Sequence, residues 1–181
     1  ERLCAYMPGY IARAAQAMGA HVLDADQVAK ELQRPGEQGY IEIGRHFGKA
    51  YLLPQGIDRK KLADLVFHDA RKLAELNAIM FPLIIGEIER RLQNLHGLCI
   101  IDAPLLFEAG MDTICDEIWI AQADDAVRLQ RIMQRDGIDE RQAKQRMDSQ
   151  TDHEAANAVV LDTTNGMDAL LPKLEKLINR G

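Results

Sequence analysis

Short, almost wholly apolar runs alternate along this chain with longer stretches in which apolar residues return every third or fourth position, the pattern of buried strands and amphipathic helices taken in turn. Runs at 20–23, 98–101, 117–121 and 159–161 predict strands covered on both faces. Helices are predicted at 11–18, 26–33, 38–47, 58–67, 70–95, 124–135, 139–150 and 167–179. In the longest, Leu73, Leu76, Met80, Ile84, Ile88 and Leu92 recur on one face, and Pro82 predicts a kink or a division. Residues 2–7 form a candidate first strand, joined to the next helix by a Pro8-Gly9 turn. Pro35-Gly36, Pro54-Gln55-Gly56 and Asn165-Gly166 supply further turns, and Asp58 and Asp139 stand where an N-cap carboxylate meets free backbone N–H groups. This order predicts an α/β fold, a three-layer parallel sheet with helices on both faces.

Composition narrows the picture. With 181 residues and 47% hydrophobic residues, the chain reads as one domain, 1–181, with arginine-rich helices and a helical lid region at about 124–157. No apolar stretch approaches the roughly 20 residues that cross a bilayer, and the first ten residues lack the order of a signal peptide, so the expectation is a cytoplasmic protein with no membrane partner. A net charge of −6 argues against a nucleic-acid partner, whose backbone must be neutralised by Lys and Arg, but leaves room for a small anion held by local arginines. Cys4, Cys99 and Cys115, odd in number and widely spaced, are read as buried free thiols. Trp119 is read as core, and the histidines are not spaced as a metal site.

In open α/β sheets ligands bind beyond the carboxyl ends of the strands, so polar residues directly after an apolar run carry the chemistry. Val22-Leu23-Asp24-Ala25-Asp26 places two carboxylates there, suited to holding Mg²⁺ or accepting a hydroxyl proton; the bland alternative is that Asp26 caps a helix. Asp102 follows a second run, and Glu108 comes after a short apolar segment. Arg128, Arg131 and Arg135 share one helix face, with Arg141 and Arg146 on the next helix. Guanidinium groups converging on a cleft suit phosphoryl transfer; the alternative is a solvated face paired with Asp124, Asp125, Asp136 and Asp139.

Seven segments in order resemble the dephospho-coenzyme A kinases: V-L-D-A-D from Val22, R-P-G from Arg34, H-F-G from His46, I-D-R-K-K-L from Ile57, L-N-A-I-M-F-P-L-I from Leu76, D-A-P-L-L-F-E-A-G from Asp102 and R-L-Q-R-I-M-Q-R-D-G from Arg128. The resemblance implies a P-loop kinase fold with a five-stranded parallel sheet. It also implies transfer of the γ-phosphate of ATP, with Mg²⁺, to the ribose 3′-hydroxyl of dephospho-coenzyme A, the last step of coenzyme A synthesis. By that likeness Asp26 is the base near the hydroxyl, with Asp24 beside it. Arg131 and Arg135 face the phosphates, and Asp102 and Glu108 lie near the substrate. Arg146 and the segment round Asn165 serve the nucleotide, the latter near adenine.

One family element is not matched. The phosphate loop G-x-x-x-x-G-K-[ST] has no counterpart in the chain, and counting back from Gly19 puts Pro8 at its Lys and Gly9 at its hydroxyl residue. A second reading follows, of a catalytically inactive relative that binds coenzyme A or its precursor.

Overall fold

The structure is a computed structural model that describes residues 2–6, 9–148 and 158–179. The expected Pro8 turn, the end of the helix read at 139–150 and residues 149–157 of the lid region lie outside the described residues.

In chain order, strand β1 (Arg2–Tyr6) leads to helix α1 (Gly9–Ala17), then β2 (His21–Asp24), α2 (Ala25–Leu32) and α3 (Gln38–His46). A hairpin of two-residue strands, β3 (Leu52–Leu53) and β4 (Gly56–Ile57), precedes α4 (Arg59–His68) and α5 (Ala70–Leu92). The chain continues through β5 (Cys99–Asp102), β6 (Glu117–Gln122), α6 (Asp125–Asp136), α7 (Glu140–Asp148), β7 (Val159–Asp162) and α8 (Met167–Ile178). Five strands pair in the order β2-β5-β1-β6-β7, and each pairing is parallel. Parallel pairing puts every strand's carboxyl end on one edge, where Asp24 is in register with Asp102 and Gln122 with Asp162.

Successive residues of a strand face opposite sides, and the core divides accordingly. Ile101 joins Val28, Ile43, Leu62, Ile84 and Ile88 under α2 to α5. Its neighbour Ile100 joins Ile11, Trp119, Leu161, Leu170 and Leu174 under α1 and α8. Helices therefore cover both faces, and Trp119, 1% exposed, is core as expected.

At 23 residues, α5 is roughly 34 Å long, whereas the four-residue β5 it packs against spans about 13 Å. Only its second half, from Met80, buries the apolar stripe; Leu73 is 43% exposed. The first half of α5 continues past the carboxyl edge of the sheet, carrying α3 and α4 against it as an overhang. His46 Nε2 lies 2.8 Å from Glu75 Oε2, tying α3 to α5 there. Between α2 and α3 the backbones approach so closely that a Cβ on Gly39 would sit 2.7 Å from the Leu32 carbonyl oxygen.

Two expectations change, at Pro82 and at the cysteines, and one is enlarged. Pro82 neither divides nor ends α5. The turn at Pro54-Gln55-Gly56 proves to be the tip of the β3–β4 hairpin, whose strands are too short to leave a sequence signal. Cys99 is a free, buried thiol, but Cys115 is disulfide-bonded. Asp58 and Asp139 cap as expected, accepting from Lys61 N at 3.1 Å and Gln142 N at 2.8 Å. Among the described residues no helix is long and apolar enough to cross a membrane.

Candidate active site

Three carboxylates gather over β2 and β5 at the carboxyl edge. Asp24 ends β2 and caps α2, its Oδ1 accepting from Gln27 N at 2.9 Å. The cap is thus Asp24, two residues before Asp26, because the helix already begins at Ala25. Asp26 is left in the first helical turn, exposed, where the positive end of the helix dipole favours its charge. Asp102, in register with Asp24, is half-buried. Burial, and then the negative charges of Asp24 and Asp26, push its carboxyl up to about 6. Register across β2 and β5 and the start of α2 thus place the expected Asp24, Asp26 and Asp102 at the same end of the sheet. Glu108 lies six residues beyond Asp102 in the turn that follows β5, and is exposed.

Basic groups lie on the other side of β1. Thr163, just past β7, donates from both its backbone N and its Oγ1 to the Gln122 carbonyl, at 2.7 and 2.9 Å, which locks the ends of β6 and β7 together. Thr164 Oγ1 accepts from Asp124 N at 3.0 Å, joining this turn to the start of α6. Arg131, two turns into α6, reaches back to the same turn, its Nη1 donating to Thr163 Oγ1 at 2.9 Å and its Nη2 to the Thr163 carbonyl at 2.6 Å. Asn165 is exposed in this turn.

Pairing separates the arginines from one another. Arg128 meets Asp125 at 3.5 Å, Arg135 meets Asp136 at 2.8 Å, and Arg146 also meets Asp136. Arg135 and then Arg146 hold the Asp136 carboxyl down to about 2. These three follow the salt-bridged alternative. Arg131 does not: among the described residues its partners are the two neutral oxygens of Thr163, so its charge meets no carboxylate. Elsewhere, a cavity of about 380 Å³ at the far ends of α2 and α5 contains Arg90 and Arg91, but Glu31 and Glu87 engage both guanidinium groups. Sequence reasoning missed Thr163, which stands two residues after the apolar run 159–161, behind Asp162.

With strands about 4.8 Å apart, the carboxylates on β2 and β5 stand roughly 10 to 19 Å from the Arg131 anchorage on β6 and β7. Between them the edge carries the end of β1 and the start of α1. A five-stranded parallel sheet with helices on both faces, acids on one side of its central strand and an uncompensated guanidinium on the other, is the architecture of a P-loop-type kinase. The family description "Dephospho-CoA kinase" matches residues 9–168. The dephospho-CoA kinase of Geobacter sulfurreducens is 35% identical over 175 residues, 92% of this chain and 89% of that protein. The enzyme of Moorella thermoacetica is 40% identical over 144 residues, 76% and 68% of the two chains. Among solved structures, the dephospho-CoA kinase from Campylobacter jejuni superposes with a TM-score of 0.71 at 25% identity, covering 98% of this chain and 94% of that one. A Thermus thermophilus protein gives 0.80 at 26% identity, with the same coverage. The chain belongs to the dephospho-CoA kinase family.

Proposed function

We propose that this chain transfers the γ-phosphoryl group of ATP to the ribose 3′-hydroxyl of dephospho-coenzyme A. The observation that carries the reading is the division of one sheet edge into a carboxylate cluster and a guanidinium that no carboxylate among the described residues neutralises. In the step itself, the 3′-oxygen forms a bond to the γ-phosphorus as the bond to the β-bridging oxygen breaks, and the hydroxyl proton passes to a carboxylate. Asp26, exposed at the rim of the cluster and free of the capping duty of Asp24, is that base. Asp24, with one oxygen committed to Gln27, and Asp102 orient the ribose, and Glu108 lies farther along the substrate. Arg131 stabilises the charge spread over the peripheral oxygens, Arg135 and Arg146 reach the nucleotide by exchanging Asp136 for phosphate, and the Asn165 turn approaches adenine.

Mg²⁺ needs one or two carboxylates beside substrate phosphates and keeps the rest of its water. The crowding that raises Asp102 is the field such a cation relieves, so the Asp24 and Asp102 edge fits it. Among the described residues no group of three or more His, Cys, Asp and Glu side chains is placed to cage a metal, so Asp24 and Asp102 would hold the ion together with phosphate oxygens of the substrate. Bound there, it supplies charge neutralisation on the phosphates.

The second reading, a chain that holds dephospho-coenzyme A without transferring phosphate, is favoured by one sequence fact, the Pro8-Gly9 pair where the family carries Lys and a hydroxyl. Titration calorimetry with ATP and with dephospho-coenzyme A, each alone, separates the two. Transfer predicts binding of both and a turnover that falls roughly 10²- to 10⁴-fold in Asp26→Asn. Binding of dephospho-coenzyme A with no heat from ATP selects the second reading, and unchanged turnover in Asp26→Asn removes that residue from the role of base.

A further inference from the structure

Thr163 is buried to 2% exposure and is the one polar side chain so deeply buried among the described residues. A buried hydroxyl is retained at a cost unless its bonds are made, and this one makes two, donating to the Gln122 carbonyl and accepting from Arg131 Nη1. Its own carbonyl takes Arg131 Nη2 at 2.6 Å and the Gly166 N–H at 3.1 Å. The two contacts to Arg131 use two of the five N–H donors of a planar fork, which fixes the plane and leaves three donors for a ligand. Because both anchoring oxygens are neutral, the hold orients the guanidinium without cancelling its charge, unlike the Asp136 hold on Arg135 and Arg146.

We infer that Thr163 is a positioning residue, which aims the charged Arg131 fork at phosphate oxygens lying over the carboxyl ends of β6 and β7; the inference rests on the phosphate role proposed above for Arg131. Thr163 itself touches no substrate. It acts by carrying the rigidity of the β6–β7 junction, through the Gln122 carbonyl, to a side chain with otherwise free rotors.

The test is calorimetric affinity of the full chain for sodium tripolyphosphate, a probe that needs no turnover. Thr163→Val, nearly isosteric, is expected to weaken binding roughly tenfold, the loss of about one charge-assisted contact. Thr163→Ser, which restores the hydroxyl, is expected to stay within about twofold of the wild type. Arg131→Ala loses roughly 10- to 100-fold, and adding Thr163→Val to it costs nothing further, because the two act as one unit. Wild-type affinity in Thr163→Val beside a weakened Arg131→Ala overturns the positioning role and leaves the role of Arg131 standing. Wild-type affinity in Arg131→Ala, or no binding by the wild type, removes the phosphate reading and the inference with it. Should Thr163→Val lack the native circular dichroism, Arg131→Lys answers instead, since it keeps the charge but cannot grip both Thr163 oxygens. It is expected to lose about tenfold, and full affinity in it overturns the inference.

Discussion

At the scale of single residues, Asp102 shows how a site opposes the stability of its own fold. Its carboxyl titrates near 6 in the folded chain against 3.8 when unperturbed, so between those values the folded state binds more protons than the unfolded one. Stability therefore falls as pH rises through that window, and the full cost is present above about 6. The group is partly exposed, so solvent screening reduces the cost to about 1 to 2 kcal/mol. Asp102→Asn removes the charge and keeps the shape. At pH 7.5 it is expected to melt about 2 to 6 °C above the wild type, with a difference that vanishes near pH 4, and to turn over more slowly. Thermal unfolding at both pH values checks this, and an equal shift at the two would show that charge is not the cause.

Elements obey a simpler logic, and most of it was readable from the chain. Every predicted helix exists; α1, α5 and α8 bury stripes at helical spacing, whereas α4, α6 and α7 each bury one residue fully, Leu62, Ile132 and Ala143, and α5 shows where such reading stops. Pro82 lies on the exposed side of that helix, as does Ala78, whose carbonyl loses its partner; water can satisfy it, so the helix continues without division. The start of α5 rests on Asp69, whose Oδ1 accepts from Arg71 N at 2.9 Å and Lys72 N at 3.2 Å. Asp69→Ala should cost about 1 kcal/mol, a fall of roughly 2 to 4 °C in melting temperature, and an unchanged melting curve would show that the overhang does not depend on its cap. The site was legible in part for the same reason. Carboxylates directly after apolar runs announced Asp24, Asp26 and Asp102. Spacing alone placed Arg128, Arg131 and Arg135 on one face, but Arg131 is held by Thr163, 32 residues further along, instead of by a nearby carboxylate, and no local pattern encodes that.

For the whole molecule, the sheet and the overhang are held by different means. The five strands pair with one another between two apolar layers, whereas α3 and α4 pack on α2, α5 and the 3-10 turn Lys49–Tyr51, with Phe67 at the tip of α4 85% exposed. A part that gains less from burial opens more readily, so amide hydrogen exchange should be faster in α3, α4 and the first half of α5 than in β5 and β6. The proposed ligands approach this body from two directions: the substrate between the overhang and the carboxylates, the nucleotide over β6 and β7. Dephospho-coenzyme A alone should therefore slow exchange in residues 38–75 while leaving the 162–166 turn nearly unchanged, and ATP alone should do the reverse. Protection of both regions by either ligand would mean that the two halves of the edge close as one unit. Protection of neither by dephospho-coenzyme A, at concentrations where calorimetry shows it bound, would put the substrate elsewhere and detach the overhang from the site. The net charge of −6 sharpens the comparison, because distant acids repel both ligands alike and any regional difference must come from local groups, the carboxylate cluster on one side and Arg131 on the other.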